Sequence, residues 1–273
     1  SDADARRLID FASGLSLAFG MYCMTLPRTP PASQARSFGA ALGLPALGMF
    51  RDRSFRTLIL CELGLGAVQQ FYGVYANRYL NDLRIPHAAA VQTLAQASEV
   101  VCMIFFPVAL RHLGIKTIMV FGLLGWVLRN LMFAIGTPEA AVLGLPLHGI
   151  SFAWVFIVAS MVVDREAPLH LRASAQGIYT FAAAGAGTLL GNWLSGVIVQ
   201  RFTDGGQVAW SNVWLVPTLM SVVILAVFAV MGAGVGARLV GWLTAEADRS
   251  LMKLTVNILI PCLFFSRVLG APS

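Results

Sequence analysis

Two polar side chains, Gln96 and Glu99, lie one helical turn apart in the otherwise apolar stretch TLAQASEVVCMIFFPVAL, residues 93 to 110. The stretch is apolar enough to lie in lipid, where a charged side chain is costly and usually functional. A glutamine offers one acceptor and two donors, which suits hydrogen bonding to a polar, uncharged solute. A carboxyl group can gain and lose a proton there, because desolvation favours its neutral form and a nearby cation favours its charged form. The pair therefore predicts a proton-binding group beside a solute-binding group.

Few other charged residues interrupt the apolar stretches of the chain. Asp10 and Glu62 lie near the predicted ends of two stretches, whereas Glu99 and Arg129 lie in the middle of theirs. Glu99 could be a structural, hydrogen-bonded acid, a permanent ion-pair partner of Arg129, or the proton-coupling group. Arg129 could be a structural brace or could take part in the coupling.

Several polar and aromatic side chains share one estimated depth. Depths follow from counting ~1.5 Å per residue from the basic residues at the span ends. On that count, depths of about 18 to 24 Å are obtained for Gln70, Glu99, Arg129, His148 and Phe152. This level is near the bilayer midplane, where secondary transporters place their substrate and ion sites. At that level His148 could be a substrate donor, a proton relay or a buried, hydrogen-bonded histidine.

The composition places the chain in the membrane. Of 273 residues, 58% are hydrophobic and 12% are charged, with a mean hydropathy of +0.75. Soluble domains carry about 25% charged residues. The net charge of +6 comes with basic residues in short loops between apolar runs, as the positive-inside bias predicts. A nucleic-acid binder is excluded because no basic face with interleaved aromatic residues accompanies the charge.

The apolar runs predict an all-α protein with seven membrane spans. The spans are expected at 8–26, 57–77, 88–110, 116–135, 139–162, 172–199 and 213–236, with a marginal run at 250–268. The excess of Lys and Arg on the side of the linker after the first span puts that linker in the cytoplasm. The odd number of spans, and the start at Ser1 without an initiator Met, predict a chain cut from a longer one.

Other features of the sequence narrow the function. Gly187 and Gly191 form a GxxxG pair, which allows two helix backbones to approach closely, either as fixed packing or as a sliding contact. The sequence contains no Walker loop, GxSxG, HExxH or GxGxxG motif, so neither an enzyme nor a cofactor is predicted. No metal site is predicted, because the cysteines lack metal-ligand spacing: Cys23, Cys61, Cys102 and Cys262.

Longer motifs carry a family resemblance over roughly residues 8 to 231. The segments ASGLSLAFGMYCMTLPRTPP, FGLLGWVLRNLMFAIG, REAPLHLRASAQGIYT and GNWLSG resemble the nucleoside:proton symporter family of the major facilitator superfamily. The resemblance implies a multi-pass transporter of the inner membrane that couples nucleoside-like solutes to protons. It also implies that this chain is the C-terminal half of a twelve-helix protein whose N-terminal half is a missing partner.

The resemblance also implies domains and site residues. It gives helix six at 1–27, the cytoplasmic central loop at 28–56 and the six-helix half at 57–236. Gln70 matches the glutamine of helix seven. Gln96 and Glu99 match the Gln-x-x-Glu pair of helix eight, and Phe152 matches the aromatic residue of helix ten. Glu99 and Arg129 are thus the candidates for proton coupling, and the candidates for substrate binding are Gln70, Gln96, His148 and Phe152.

Three positions depart from the family pattern, and so does the tail. Gly73 stands where an asparagine is expected, and His148 and Ala153 stand where a tyrosine and an aspartate are expected. The tail, residues 237–273, resembles the start of an auxin efflux carrier protein and predicts an extra C-terminal helix. The alternatives to the symporter half are therefore a fusion with an anion exporter of that type and a membrane fragment without transport activity.

Overall fold

The computed structural model describes the backbone of residues 2–27 and 44–239, and the side chains of residues 10–27 and 44–229. The chain divides into two units, Ser1–Ala41 and Leu42–Ser273. In the first unit, helix α1 covers Asp2–Met24. Residues 28–43 lie outside the described residues. So does the predicted efflux-carrier-like tail, 237–273, from residue 240 onward, including the marginal run at 250–268.

The second unit begins with a 3-10 helix at Leu44–Arg51, followed by helix α2 at Arg53–Asp82. The helix begins four residues before the predicted span, which starts at residue 57. The carboxylate of Asp52 explains the earlier start, because its Oδ1 accepts a hydrogen bond from the backbone N–H of Phe55 at 3.0 Å. Such an N-cap satisfies one of the donors left free in the first helical turn. Glu62 consequently lies nine residues inside α2 and not near its end.

Helix α3 covers Ala88–Ile135 as one element of 48 residues. A straight helix of this length would measure about 72 Å, more than twice the ~30 Å core of a bilayer. Gly114 breaks the helix with φ 75° and ψ 164°, so that it forms two limbs, at 88–113 and 115–135. A glycine suits this position because its φ lies in the left-handed region that other residues avoid. The two limbs correspond to the predicted spans at 88–110 and 116–135.

Shorter elements complete the unit. Helix α4 covers Pro138–Gly144 and continues, after a short break, into α5 at Leu147–Glu166. After a 3-10 turn at Leu169–Leu171, helix α6 (Arg172–Thr180), a π-helical segment (Phe181–Gly187) and helix α7 (Thr188–Arg201) follow without interruption. The antiparallel strands β1 (Thr203–Asp204) and β2 (Gln207–Val208) form a small hairpin before helix α8, Trp210–Leu239.

Four helical stretches of the described chain have the length and apolarity needed to cross a membrane: Ala88–Ile135, Pro138–Glu166, Leu169–Arg201 and Trp210–Ala229. Helix α2 is long enough, at 30 residues. Glu62, Gln69 and Gln70 interrupt its apolar run, so its mean hydropathy is lower and it is not among these four stretches. The all-α membrane fold predicted from the sequence is confirmed.

Close glycine contacts join α2 to the α6–α7 stretch. A Cβ atom at Gly66 would meet the carbonyl oxygen of Ala183, in the π-helical segment. A Cβ at Gly187 would lie 2.7 Å from the carbonyl oxygen of Leu63, and one at Gly191 would lie 2.7 Å from the Cα of Ala67. The GxxxG pair therefore lies at a backbone-to-backbone helix contact, as small residues allow in membranes.

We expect Gly66→Ala to destabilise the bundle by about 1 to 3 kcal/mol, because the added methyl group collides with backbone atoms that cannot move alone. The measurement is the thermal unfolding of the detergent-purified chain. Gly177→Ala is the matched control, since a Cβ there has no atom within 4 Å. Equal melting temperatures for the two variants would contradict the close contact.

Candidate functional site

Gln96 and Glu99 lie on the first limb of α3. The side chain of Gln96 is exposed, and the side chain of Glu99 keeps 23% of its surface accessible. Because the two residues are three apart in a helix, they lie on the same face. The carboxyl group of Glu99 is thus partly open to its surroundings.

A histidine of α5 faces this carboxyl group. The Nε2 atom of His148 lies 3.9 Å from Oε2 of Glu99, and the imidazole is buried. The next residue, Gly149, lets α5 approach closely, because a Cβ there would lie 2.7 Å from the backbone nitrogen of Glu99. The backbone N–H of Gly149 donates to Oγ of Ser98 at 3.0 Å. The glycine therefore brings His148 next to Glu99.

Arg129 holds the other side of the same imidazole. Its Nη1 lies 2.6 Å from Nδ1 of His148, and the arginine side chain is fully buried. A guanidinium group has only donors. Nδ1 must therefore be the acceptor, so the neutral imidazole carries its proton on Nε2, the nitrogen that faces Glu99. This assignment follows from the hydrogen-bond partner, as tautomers in structures generally do.

The charge of Arg129 lies between two aromatic faces. Its Cζ atom is 4.7 Å from the ring centre of Tyr72 and 4.5 Å from that of Trp126. The indole N–H of Trp126 donates to the carbonyl oxygen of Ser151 at 2.8 Å, which fixes that ring between the second limb of α3 and α5. Among the described residues, Nε and Nη2 of Arg129 have no hydrogen-bond partner. Cation–π attraction therefore supports the buried charge.

His148 is also the centre of an aromatic stack. Its ring lies 4.9 Å from that of Tyr72, at an interplanar angle of 22°, and 5.2 Å from that of Phe152, at 20°. Phe156 continues the stack, with its ring 4.9 Å from that of Phe152. The stack leaves Phe152 half-buried, so part of its ring is accessible.

The structure brings four of the six predicted site residues into one contact chain: Glu99, His148, Arg129 and Phe152. The direct ion pair considered between Glu99 and Arg129 is not among the ion pairs within 4.0 Å in the described residues, because His148 lies between the two groups. Gln70 makes its side-chain hydrogen bond elsewhere, donating from Nε2 to Oγ1 of Thr188 on α7 at 3.4 Å. Gln96 joins the group only through its position on the helix face of Glu99.

Three residues that build this arrangement were not predicted from the sequence: Tyr72, Trp126 and Gly149. Trp126 precedes Arg129 by three residues, so helical spacing alone could have placed it on the same face. Tyr72 follows Gln70 closely on α2, but its contacts come from other helices. The sequence around Gly149 does not indicate its role, because that role depends on where α5 crosses α3.

A separate cavity of about 860 Å³ lies between α2, α3, α5 and α8. We call this end of the bundle the basic end; its cavity lining includes Lys116 and Arg165. The lining residues on α2 lie between Ser54 and Cys61, and none of the six predicted site residues lines the cavity. In the parts of the chain that the structure describes, no three His, Cys, Asp or Glu side chains come together as a metal site.

Comparisons with known proteins agree with this fold. The sequence model of the family described as nucleoside H+ symporter matches residues 4–233. The chain is 31% identical over 231 residues to the putative nucleoside transporter YegT of Escherichia coli (strain K12), covering 80% of this chain and 54% of that protein. It is 32% identical over 222 residues to the xanthosine permease of the same organism, covering 75% of this chain and 53% of that one.

A solved structure is similar as well. A crystal structure of a mutant of the nucleoside transporter NupG superposes with a TM-score of 0.71 at 30% identity, covering 81% of this chain and 59% of that one. The fold corresponds to part of a transporter structure of the major facilitator superfamily, and the chain is a multi-pass protein of the inner membrane. The chain belongs to the nucleoside H+ symporter family. Its relatives are transporters and permeases, which confirms the prediction that the chain is not an enzyme.

The chain spans about half the length of the curated relatives that it matches. The family match ends at residue 233, so the tail at 237–273, predicted to be efflux-carrier-like, lies outside it.

We expect Arg129 and His148 to be energetically coupled more strongly than Arg129 and Glu99. In a double-mutant cycle, Arg129→Leu and His148→Phe should show an interaction energy of about 1 to 3 kcal/mol, because they share a direct hydrogen bond. Phenylalanine keeps the aromatic stack and removes only the ring nitrogens. The measurement is the free energy of unfolding of the four proteins in detergent.

The matched cycle pairs Arg129→Leu with Glu99→Gln. Its interaction energy should be smaller, because the imidazole lies between the guanidinium and the carboxyl group. A larger coupling to Glu99 than to His148 would contradict the order of contacts.

Proposed function

We propose that this chain forms the C-terminal half of a proton-coupled transporter of nucleoside-like solutes. The observation that carries the proposal is the contact chain from Glu99 through His148 to Arg129, with one end buried and the other partly accessible. Charged groups within the membrane are costly and are kept where they serve a pathway. The family membership supports the same function.

In this mechanism, Glu99 binds and releases the coupled proton. When Glu99 is ionised, the Nε2–H of His148 and the positive charge of Arg129 behind it face the carboxylate and stabilise it. When Glu99 is protonated, that attraction is lost, so the carboxyl group no longer holds α3 against α5 electrostatically. Proton binding thus changes the free energy of the contact between two helices, which is the requirement for coupling to a conformational change.

The solute would bind on the accessible side of the same group. Gln70 and Gln96 offer amide donors and acceptors for a sugar hydroxyl or a base. The half-buried ring of Phe152 offers a flat apolar face for a nucleobase. Because the aromatic stack fixes this ring against His148, a bound base would lie close to the proton-binding group.

An N-terminal half would supply the other wall of the solute cavity. In secondary transporters, the site lies between two repeats that rock against each other. Gln96 and Glu99 keep exposed or partly exposed side chains on the unit formed by residues 42–273, as expected for a surface that faces another part of a transporter. The central loop at 28–56 would connect the two halves on the cytoplasmic side.

Glu99→Gln should abolish uphill, proton-driven uptake in a transporter completed with the preceding helices. The amide retains the shape of the carboxyl group but does not bind or release a proton near neutral pH. The measurement is nucleoside accumulation in vesicles with an imposed proton gradient, alongside membrane expression. Glu139→Gln, at an exposed position, is the control and should transport normally. Undiminished accumulation by Glu99→Gln would rule out the coupling role.

Phe152→Ala should weaken nucleoside binding by about 1 to 3 kcal/mol, the usual value for a stacked base. Phe152→Tyr retains the ring and should bind normally. Equilibrium binding of a nucleoside to the completed transporter measures the difference, with Phe121→Ala as the control, because Phe121 is exposed on the second limb of α3. If Phe152→Ala binds as well as the parent protein, the base does not stack on this ring.

A further inference from the structure

Glu62 is a second carboxyl group inside the bundle, and the contact chain of Glu99 does not include it. Its side chain is fully buried on α2, with 0% of its surface exposed, and neither carboxyl oxygen has a hydrogen-bond partner among the described residues. Its neighbours on the helix, Leu58, Cys61 and Leu65, belong to an apolar cluster. An ionised carboxylate without a partner is very costly in such surroundings. An unsatisfied buried polar group of this kind calls for a physical explanation.

The titratable groups near Glu62 do not compensate a negative charge. Cys61 on α2 and Tyr179 on α6 lie close enough to Glu62 to interact with it electrostatically. The hydroxyl group of Tyr179 donates to the carbonyl oxygen of Phe156 at 2.9 Å, so its proton is already engaged. The described part of α8, residues 210–229, contains no titratable side chain.

The charged groups of the other neighbouring elements lie toward the end of the bundle. Lys116 of α3 and Arg165 and Glu166 of α5 line the basic-end cavity. Arg51, the last residue of the 3-10 helix that packs on α2, is exposed. None of these side chains forms an ion pair with Glu62 in the described part of the chain.

The surroundings also provide an approach for water. The cavity of about 860 Å³ at the basic end reaches Cys61, the residue next to Glu62, and its lining includes Thr57 as a polar group. On the other side, α2 contacts the π-helical segment Phe181–Gly187 through Gly66. Single π-helical turns within α-helices are frequent at functional sites.

We propose that Glu62 is a second proton-binding site of the bundle, which exchanges its proton with the basic end through this cavity. The carboxyl group holds the proton while the contact between α2 and the π-helical segment is closed. It releases the proton to cavity water when that contact loosens. The site is separate from Glu99 and does not depend on nucleoside binding.

The first test is the pH dependence of stability of the full chain in detergent. The folded protein holds a proton on Glu62 that the unfolded chain releases at neutral pH, so stability should fall as pH rises above the ordinary range of a glutamate. One such proton changes the unfolding equilibrium about tenfold per pH unit. Glu62→Gln should lose this contribution to the slope, whereas Glu139→Gln, at an exposed site, should keep it.

Each other outcome of this test would overturn the proposal. If the stability of Glu62→Gln falls with pH as steeply as that of the parent protein, Glu62 holds no extra proton in the folded state. Glutamine and methionine approximate the neutral, protonated side chain. If neither Glu62→Gln nor Glu62→Met folds at any pH, the native side chain must carry a charge.

The second test concerns the route. In a variant with Cys61 as its single cysteine, a small, membrane-impermeant thiol reagent should react with Cys61 when it is added to the basic end in oriented vesicles. The Cys61→Ser version of that variant is the control for background labelling. Reaction from the opposite side alone, or no reaction, would overturn exchange through this cavity.

Discussion

The buried guanidinium group of Arg129 is the constraint around which the candidate site is arranged. Its charge has no carboxylate partner within 4.0 Å in the described residues, so two ring faces and one imidazole nitrogen must stabilise it. These three groups come from α2, α3 and α5. The same hydrogen bond selects the tautomer of His148 and thereby determines which group faces Glu99. One cation thus links helix packing to the chemistry at the partly accessible carboxyl group.

Backbone proximity is the second element of this arrangement. Gly149 brings α5 against the backbone at Glu99, while Gly66, Gly187 and Gly191 bring α2 against the α6–α7 stretch. Without a hydrophobic driving force between helices in lipid, such contacts rely on close packing and on interhelical hydrogen bonds. Both of the carboxyl groups discussed above lie next to one of these crossings. In the two proposals above, a proton at either position therefore changes a contact between helices.

Much of the fold could be predicted from the sequence, because the bilayer imposes helix length and apolarity. The spans from residue 57 to residue 236 correspond to helices of the structure. The depth estimate put Glu99, Arg129 and His148 at one level, and the structure brings these three into contact. Gln70, counted at the same level, bonds to Thr188 instead. The order of their contacts could not be predicted, since it depends on helix rotation and crossing angle. The position of Glu62 was misjudged for a local reason: Asp52 caps α2 earlier than the apolar run begins.

The break at Gly114 has a mechanical consequence. A single residue joins the limb that carries Glu99 to the limb that carries Arg129, and no loop separates the two limbs. A glycine at this joint allows the angle between the two limbs to change. Glu99 and Arg129 lie on different limbs. A change in the angle between the limbs therefore changes the distance between their side chains.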